Sequence, residues 1–565
     1  MKARVQKLTG SDDERVEIGT FHSFCAQILR QHGVHVGIRP DFVIYSSPED
    51  RAAILRDAIR SYGGIEEFPE DVAAYLPVFD RLKSDLVPAA EASVALGHLS
   101  SGQTIAVAYQ LYEREMRNLG ALDFTSLIFE AYALLKKYPA IARSYAKVYR
   151  YWMMDEFQDT TNAQYELLLA LSDGQFHDVM AVADDDQLIY AWNGASFAHL
   201  KSFVEHFDSE VLQLPTNFRC PPAIVDAANR LVVFNTQRSA GKAPAVPGKT
   251  AVAYPREHQI EVREFTDDRA EARGIANEIE RSGRESWDRT VVLARNRSLL
   301  SGVVSELMDL GVPAALTQRR DTFLSAEFRW FVAVLKQCVR PLDQRNLAAL
   351  VQAFNRFGET EVEVDQILAE SESTGRSYLR TWLESVGGAS LSPNLTQNLV
   401  AMVSPLTHGE AAVQGVIGEF LTWVREKLDD GGDRDIAEDY EAWNEVTRDI
   451  VLVRGRQLSL DEFLREMDLR SKEPSPKSGT VSLMTIHSAK GKEFDFVYLI
   501  GLAEDILPSY QSRRRGSHSS ELEEERRNCF VAITRVKERL VLSRAHKYRG
   551  WDKAPSRFLQ EMGLA

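Results

Sequence analysis

Five short apolar segments set the strongest constraint on the fold, because each runs directly into a cluster of polar residues and then into a helical pattern. They are YRYWMMDEFQD, DVMAVADDDQ, RTVVLARNR, VSLMTIHSAKG and FDFVYLIGLAED. Apolar runs without strict alternation are typical of parallel strands that are buried on both faces. The sequence therefore predicts an α/β fold, in which ligand sites lie at the carboxyl ends of the strands, where the polar clusters stand.

Two long stretches lack such strands and show helical periodicity instead. At 565 residues the chain is also too long for one ordinary hydrophobic core. We therefore predict two parallel-sheet cores, each interrupted by a helical subdomain. The predicted boundaries are 1–45 and 121–214 for the first core, 46–120 for its helical insertion, 215–330 and 475–565 for the second core, and 331–474 for its helical insertion.

Composition and charge narrow the class of protein. The chain carries 67 Lys and Arg against 82 Asp and Glu, a formal net charge of -15, which argues against non-specific coating of nucleic acid by phosphate neutralisation. A DNA enzyme with a local basic channel stays compatible with this charge.

No apolar run reaches the ~18 residues of a membrane span. The N-terminus has no apolar signal core, and the four cysteines form no paired metal spacing, so we predict a cytoplasmic protein with reduced thiols.

The most specific motif is Asp155-Glu156-Phe157-Gln158-Asp159, directly after an apolar strand segment. An aspartate at a strand end can hold Mg²⁺ on a nucleotide, and an adjacent glutamate can orient or deprotonate the attacking water. An isolated acidic pair is more often a solvated turn before a helix. The neighbouring motifs favour the catalytic interpretation here.

About thirty residues later, a second polar cluster combines three acids with an amide and two aromatic rings. Gln187 follows Asp184–Asp186 and can contact a γ-phosphate through its amide. Tyr190 and Trp192 offer rings on which unpaired bases can stack, each worth ~1–3 kcal/mol. A lone pair of rings is usually part of a core, but the coupling to the acids and the amide favours a functional site.

These motifs, together with others along the chain, resemble the UvrD/Rep/PcrA type of superfamily 1 DNA helicases. The match occurs in family order and spans nearly the whole sequence. The similar segments are Thr20–Ser23 (TFHS), Asp155–Asp159 (DEFQD), Ala183–Ala195, Leu214–Pro221, Val481–Leu502, Glu523–Leu540 and the closing Pro555–Leu559. The resemblance implies two RecA-like cores around an ATP·Mg²⁺ cleft, and movement along single-stranded DNA in the 3′-to-5′ direction to unwind duplex DNA in repair or recombination.

The resemblance also assigns roles to individual residues. The implied catalytic residues are Asp155, Glu156, Gln187, Arg219 and Arg535. Asp155 would hold the metal, and the two arginines would reach the γ-phosphate. Phe218 would cover the adenine and Glu493 would lie near the sugar. The implied nucleic-acid contacts are Thr20, Phe21, His22, Tyr190, Trp192, His487, Ser488 and Lys490, the last three facing the DNA backbone or the nucleotide.

One family element is absent from the printed sequence, which contains no GxxxxGK[ST] phosphate loop. The string Pro247-Gly248-Lys249-Thr250 follows the fourth motif in a Pro-rich stretch and has Ala243 where the first glycine belongs. We expect such a loop and a central strand of the first core to precede this sequence in the natural protein. Without that strand, its neighbours would expose an open apolar face. The alternative is a chain that binds single-stranded DNA without hydrolysing ATP.

Overall fold

A computed structural model describes Val5 and residues 16–564, except 64–67, 173–177, 250–251, 318–319, 321, 359–361, 388–398, 400–401, 409–412, 430–432, 455–457, 471, 473–477 and 517–518. The strands are β1 Val43–Ile44, β2 Ala121–Leu122, β3 Tyr151–Met154, β4 Asp178–Ala181, β5 Thr216–Asn217, β6 Val246–Pro247, β7 Ile260–Asp267, β8 Thr290–Ala294, β9 Ala314–Leu316, β10 Val481–Thr485, β11 Phe494–Leu499, β12 Val536–Tyr548 and β13 Trp551–Asp552.

Helices surround these strands and also form two separate groups. They are α1 Phe21–His32, α2 Pro48–Arg60, α3 Leu76–Ser84, α4 Ala92–Ala95, α5 Gly102–Asn118, α6 Phe124–Lys137, α7 Pro139–Val148, α8 Asn162–Ser172, α9 Phe197–His206, α10 Pro222–Val232, α11 Asp268–Arg281, α12 Arg297–Asp309, α13 Ala326–Val339, α14 Gln344–Phe357, α15 Val364–Thr374, α16 Tyr378–Gly387, α17 Val413–Asp429, α18 Arg434–Arg454, α19 Leu460–Asp468, α20 Ile486–Ala489, α21 Tyr510–Arg514, α22 Ser520–Ile533 and α23 Arg557–Glu561. No helix among the described residues is long and apolar enough to cross a membrane.

The second core contains the larger sheet. Its strands lie side by side in the order β7-β12-β11-β8-β10-β9, all neighbours parallel, and the short β13 pairs antiparallel with the end of β12. Alternate side chains enter two different cores: Val291 packs with α10 and α22, whereas Val292 packs with α11 and α12. Coverage of both faces explains why these strands are continuously apolar. The predicted α/β class with parallel sheets is confirmed.

The first core holds a smaller parallel pair, β3 and β4, with Met153 opposite Met180. One face of this pair packs on α8 and α9 through Met154, Leu168 and Phe203. On the other face, Met153 is 81% and Met180 56% exposed. Parallel sheets are normally covered on both faces, so within the described residues this pair has one open apolar face.

Two helical groups have cores of their own. Ile54, Phe79 and Tyr109 represent the core of α2, α3 and α5. The core of α13–α19 is aromatic, with Phe331 stacked on Phe420 at 3.8 Å between ring centroids. The first group falls within the predicted insertion 46–120, whereas the second begins at Ala326, a few residues before the predicted start of 331–474. The exact domain boundaries stay a prediction.

Candidate functional site between the two cores

Asp155 and Glu156 stand at the carboxyl end of β3, directly after the buried Met154. Glu156 has a left-handed backbone, with φ 51° and ψ 39°, which is unfavourable for a residue with a side chain and recurs at functional sites. Asp155 Oδ1 accepts the backbone N–H of Glu156 at 3.0 Å, and the Gln158 side-chain amide donates to the Glu156 carboxylate. The turn therefore holds two exposed carboxylates next to each other at the strand end.

Side-chain hydrogen bonds connect this turn to the end of β4. Gln158 Oε1 accepts the backbone N–H of Asp184 at 3.0 Å. Asp184 Oδ2 in turn accepts the side-chain amide of Gln187 at 2.8 Å. The polar clusters after β3 and β4 thus form one connected unit, as expected for neighbouring parallel strands.

Arg535 contacts this unit from the second core. Its Nη2 donates to Gln187 Oε1 at 3.2 Å, and its Nε donates to the carbonyl of Val531 at 3.0 Å. The side chain is almost fully buried just after the end of α22. Burial, followed by the charge of the nearby Arg219, lowers the pKa of Arg535 to about 10. The guanidinium therefore lies in a place where an anionic partner would be favourable.

Arg219 lies next to Arg535, and its guanidinium group binds the carboxylate of Glu493. Its Nε donates to Glu493 Oε2 at 3.0 Å, and its Nη1 donates to the carbonyl of Thr534 at 3.4 Å. The charges of Glu156 and Asp184 also act on the buried Arg535, so carboxylates of the first core lie within electrostatic range of a guanidinium of the second. Two guanidinium groups and two carboxylates suit an anion that carries a divalent cation, because each charge then meets its opposite. The residues present fit ATP·Mg²⁺.

Lys490 lies between the cores rather than in an open groove. Its side chain is only 6% exposed. The ammonium group donates to both carboxylate oxygens of Asp159 at 2.6 Å and to the carbonyl of Gln187 at 2.7 Å. In this arrangement Lys490 stabilises the contact between the cores. Ser488, two residues earlier, hydrogen-bonds to Thr485 at 3.1 Å.

The carboxylates of Asp184, Asp185 and Asp186, which precede Gln187, bind two basic residues of the second core. Arg238 donates to both oxygens of Asp186 at 2.7 and 2.8 Å, and Lys242 forms ion pairs with Asp184, Asp185 and Asp186. Among the described residues this is the acidic group whose oxygens are spaced for a metal ion, but its charge is offset by these two cations. We interpret the group as an anchor between the cores.

The aromatic residues lie in the platform loop, which we define as residues 190–194. Trp192 is 65% exposed, and its ring meets that of Tyr190 edge to face at 6.2 Å. Tyr190 donates its hydroxyl to the carbonyl of His487 at 3.2 Å, and the Lys490 ammonium lies 5.2 Å from the Tyr190 ring centre. Burial, followed by the charges of Arg295 and Lys490, lowers the pKa of His487 to about 4. The loop thus presents Trp192 to solvent while Tyr190 is fixed against the second core.

The Thr20–Ser23 segment begins α1. Thr20 and Ser23 form a reciprocal capping box, in which each side chain accepts the backbone N–H of the other. His22 packs edge to face on Phe124 at 5.4 Å, and Phe21 packs between the two clusters of the first core. The structure accordingly shows local stabilising roles for these residues, and their contact with DNA stays a prediction.

Phe218 presents an open ring near the guanidinium pair. It is 75% exposed and lies beside Gly248, as an aromatic platform for a base requires. Lys249, from the PGKT string, is bound to the carbonyl of Lys537 and to Glu538. In this arrangement the Lys249 ammonium is engaged with these groups rather than with a phosphate.

Comparison with known proteins decides the family. The profile of the UvrD/REP helicase N-terminal domain matches residues 1–208, and that of the UvrD-like helicase C-terminal domain matches residues 212–385 and 417–547. The chain belongs to the UvrD/REP helicase family. It is similar to the ATP-dependent DNA helicase PcrA of Staphylococcus epidermidis, with 28% identity over 584 residues that cover 100% of this chain and 78% of the relative. PcrA of Staphylococcus aureus is also 28% identical, over 586 residues with the same coverage.

The family prediction made from the motifs is therefore confirmed. Sequence reasoning missed the residues that join the cores around the site, namely Arg238 and Lys242. Their signal in the sequence is weak, because they lie more than fifty residues from their acidic partners and in no recognisable motif.

Proposed function

We propose that this chain is the motor of an ATP-dependent DNA helicase that moves 3′ to 5′ along single-stranded DNA and unwinds duplex DNA. The observation that carries the proposal is the hydrogen bond from Arg535 to Gln187 across the cleft. It joins a guanidinium of the second core to the polar unit that contains Asp155 and Glu156. The direction of movement, and a role in repair or recombination in the cytoplasm, rest on the resemblance of the motifs.

The residues divide the chemistry between the two walls of the cleft. Bound ATP·Mg²⁺ supplies the phosphoanhydride and the Lewis acid. Asp155 is positioned to hold the cation, and Glu156 to orient a water molecule and accept its proton. Arg219 and Arg535 offset the negative charge that develops on the phosphoryl oxygens, an effect worth roughly 10³–10⁵ in rate.

Movement of DNA follows from the position of Gln187. It lies three residues before Tyr190 and five before Trp192, so a displacement of Gln187 is carried into the platform loop. When Arg535 exchanges its bond with Gln187 for a phosphate oxygen, the two cores change their separation. Trp192 then shifts relative to the second core, and a base stacked on it shifts too.

A second candidate function is binding of single-stranded DNA without hydrolysis. It is favoured by the absence of a GxxxxGK[ST] string from the 565 residues and by the engagement of Lys249 with Glu538. Such a chain would retain Trp192 and the contacts between the cores, but the carboxylates of Asp155 and Glu156 would have no catalytic role.

The substitution Glu156→Gln separates the two functions. Loss of a general base lowers the rate by ~10²–10⁴, so we expect DNA-stimulated ATP hydrolysis to fall at least a hundredfold while the affinity for oligo-dT stays within twofold. Glu205→Gln, on the exposed side of α9, is the matched control and should hydrolyse ATP as the wild type does. Equal and negligible hydrolysis by all three proteins, with intact DNA binding, would establish the second function.

A further inference from the structure

Gly248 lies directly beside the exposed ring of Phe218. Strands β5 and β6 pair in parallel, and their last pair is Asn217 opposite Pro247. One step further along, the Gly248 N–H donates to the carbonyl of Asn217 at 2.8 Å. The register of the two strands therefore places Gly248 next to Phe218, the residue that follows β5.

The contact between Gly248 and the Phe218 ring leaves no room for a side chain. A Cβ at Gly248 would lie 2.9 Å from Cδ1 and 3.0 Å from Cε1 of Phe218, and 2.5 Å from Cγ2 of Thr216. Carbon atoms in favourable contact are about 3.5–4.0 Å apart, so an added methyl group would displace the ring. The backbone of Gly248 lies outside the left-handed region, and the restriction is therefore one of space alone.

The Phe218 ring is supported on one side and open on the other. An aromatic ring that covers a glycine on the neighbouring strand is a recognised way to fix both strands in register. Phe218 is nevertheless 75% exposed, so most of its ring surface stays available to a ligand. Ordering a mobile side chain costs entropy on binding, and a ring that already rests on β6 avoids much of that cost.

Lys249 connects β6 to the large sheet of the second core. Its ammonium donates to the carbonyl of Lys537 and to Glu538 Oε1, the latter at 2.9 Å. The other carboxylate oxygen of Glu538 accepts the backbone N–H of Ala253 at 3.2 Å. Glu538 belongs to β12, and its pair with Lys249 is largely buried. The surface under Phe218 is therefore fixed to the strand that begins next to Arg535.

We propose that Gly248 and Lys249 are positioning residues for the base of the bound nucleotide. Gly248 gives the Phe218 ring a flat support, and Lys249 fixes that support to β12. Asn217 Oδ1 accepts the backbone N–H of Arg219 at 3.0 Å, so the β5–β6 pair orders the base contact and the phosphate contact together. The inference rests on the proposed function, since it assumes that Phe218 stacks on the base of ATP.

The test is the dependence of DNA-stimulated ATP hydrolysis on ATP concentration in the full-length chain. Gly248→Ala should raise KM for ATP about tenfold and leave kcat within twofold, because lost stacking weakens the ground state and the transition state equally. Phe218→Ala should have an effect of similar size. Gly302→Ala is the matched control, because a Cβ there would lie 3.6 Å from Ala272, an ordinary contact, and both constants should stay as in the wild type.

Two further measurements distinguish positioning of the ring from a general structural defect. Inorganic tripolyphosphate carries the phosphates without a base, so its inhibition constant should be the same in Gly248→Ala and the wild type. If Gly248 acts through Phe218, the double variant should raise KM no more than Phe218→Ala alone does. Thr216→Ser removes the Cγ2 atom nearest to the new Cβ, and it should restore part of the KM of Gly248→Ala.

Substitutions at Lys249 test the anchor separately. Lys249→Met keeps the aliphatic stem and loses the bond to Glu538, so the support under Phe218 loosens. KM for ATP should rise about threefold, the cost of ordering one side chain on binding, again without a change in inhibition by tripolyphosphate. Lys249→Arg keeps a cation opposite Glu538 and should show a smaller increase.

The outcomes separate this inference from the proposed function. A wild-type chain that hydrolyses no ATP would overturn both. If Phe218→Ala raises KM but Gly248→Ala and Lys249→Met keep the wild-type value, only the positioning role is wrong. Equal weakening of ATP and tripolyphosphate in Gly248→Ala would also contradict the positioning role, because the change would then not act through the base.

Discussion

Substitution of Asp123 by alanine should separate the first helical group from the core beneath it. Asp123 Oδ1 caps α6 by accepting the backbone N–H of Ser126 at 2.8 Å. Its Oδ2 accepts the Lys83 ammonium at 2.8 Å and the Tyr112 hydroxyl at 2.9 Å, and lies 3.2 Å from Arg51. One fully buried carboxylate thus connects α6 with α2, α3 and α5.

The expected loss of unfolding free energy in Asp123→Ala follows from these contacts. Removal of one partner of a buried ion pair costs ~3–5 kcal/mol, and loss of a helix N-cap adds ~1 kcal/mol. Lys83 keeps Glu113 at 2.6 Å and Arg51 keeps Asp80 at 2.7 Å, so we expect the lower end of the ion-pair cost, which together with the cap gives a loss of about 4 kcal/mol. In a thermal unfolding experiment followed by circular dichroism, the corresponding transition should move down by roughly 8–16 °C.

The pH dependence gives an independent check. Burial alone would raise the pKa of Asp123, but the charges of Lys83 and Arg51 and the bond from Ser126 hold it well below its usual range. A lowered folded-state pKa gives stability that is complete above the unfolded value of about 3.9 and is lost as pH falls toward the folded value. The difference in stability between wild type and Asp123→Ala should therefore shrink below about pH 4.

Glu205→Ala provides the reference for an ordinary surface charge. Its pair with Lys201 is exposed, so its loss should change the unfolding free energy by less than ~1 kcal/mol. An Asp123→Ala protein as stable as this control would show that the buried network does not hold the helical group in place.

Three further substitutions probe the cleft and the platform loop. Arg535→Ala should lower the rate of DNA-stimulated ATP hydrolysis, measured at saturating ATP, by about 10³ or more. An unchanged rate would show that Arg535 takes no part in hydrolysis. Trp192→Ala should weaken binding to oligo-dT by ~1–3 kcal/mol in a fluorescence anisotropy titration, and equal affinity would place the DNA elsewhere. Lys490→Ala leaves Asp159 without its partner between the cores and should lower the unfolding free energy in urea by about 2 kcal/mol; no loss would mean that the contact is not formed in solution.

The strands and the polar groups at their ends were predictable from sequence because both follow local rules. A buried parallel strand needs a continuous apolar run, and the chain can place polar side chains only where that run stops. This reasoning located Asp155 at the end of β3 and Gln187 in the polar segment that follows β4. It also predicted the parallel arrangement of the second core.

The contacts between the cores were not predictable in this way. The family resemblance implies that Lys490 faces DNA or the nucleotide, which stays a prediction, but it did not indicate that the ammonium binds Asp159 of the first core. Likewise, the acids Asp184–Asp186 are matched by Arg238 and Lys242. Charge pairs between distant segments depend on how two separately folded units dock, and neither periodicity nor motif spacing contains that information.

Directional movement along single-stranded DNA is the central claim, and stopped-flow fluorescence with oligo-dT of increasing length tests it most directly. A dye at the 5′ end reports arrival of the protein, and a second series carries the dye at the 3′ end. The proposed function predicts that, after ATP and Mg²⁺ are added, the time to the 5′ signal grows in proportion to length, whereas the 3′ signal shows no such delay. A 5′ signal that is independent of length or of ATP would contradict the claim, and a length-dependent delay at the 3′ end would reverse the direction.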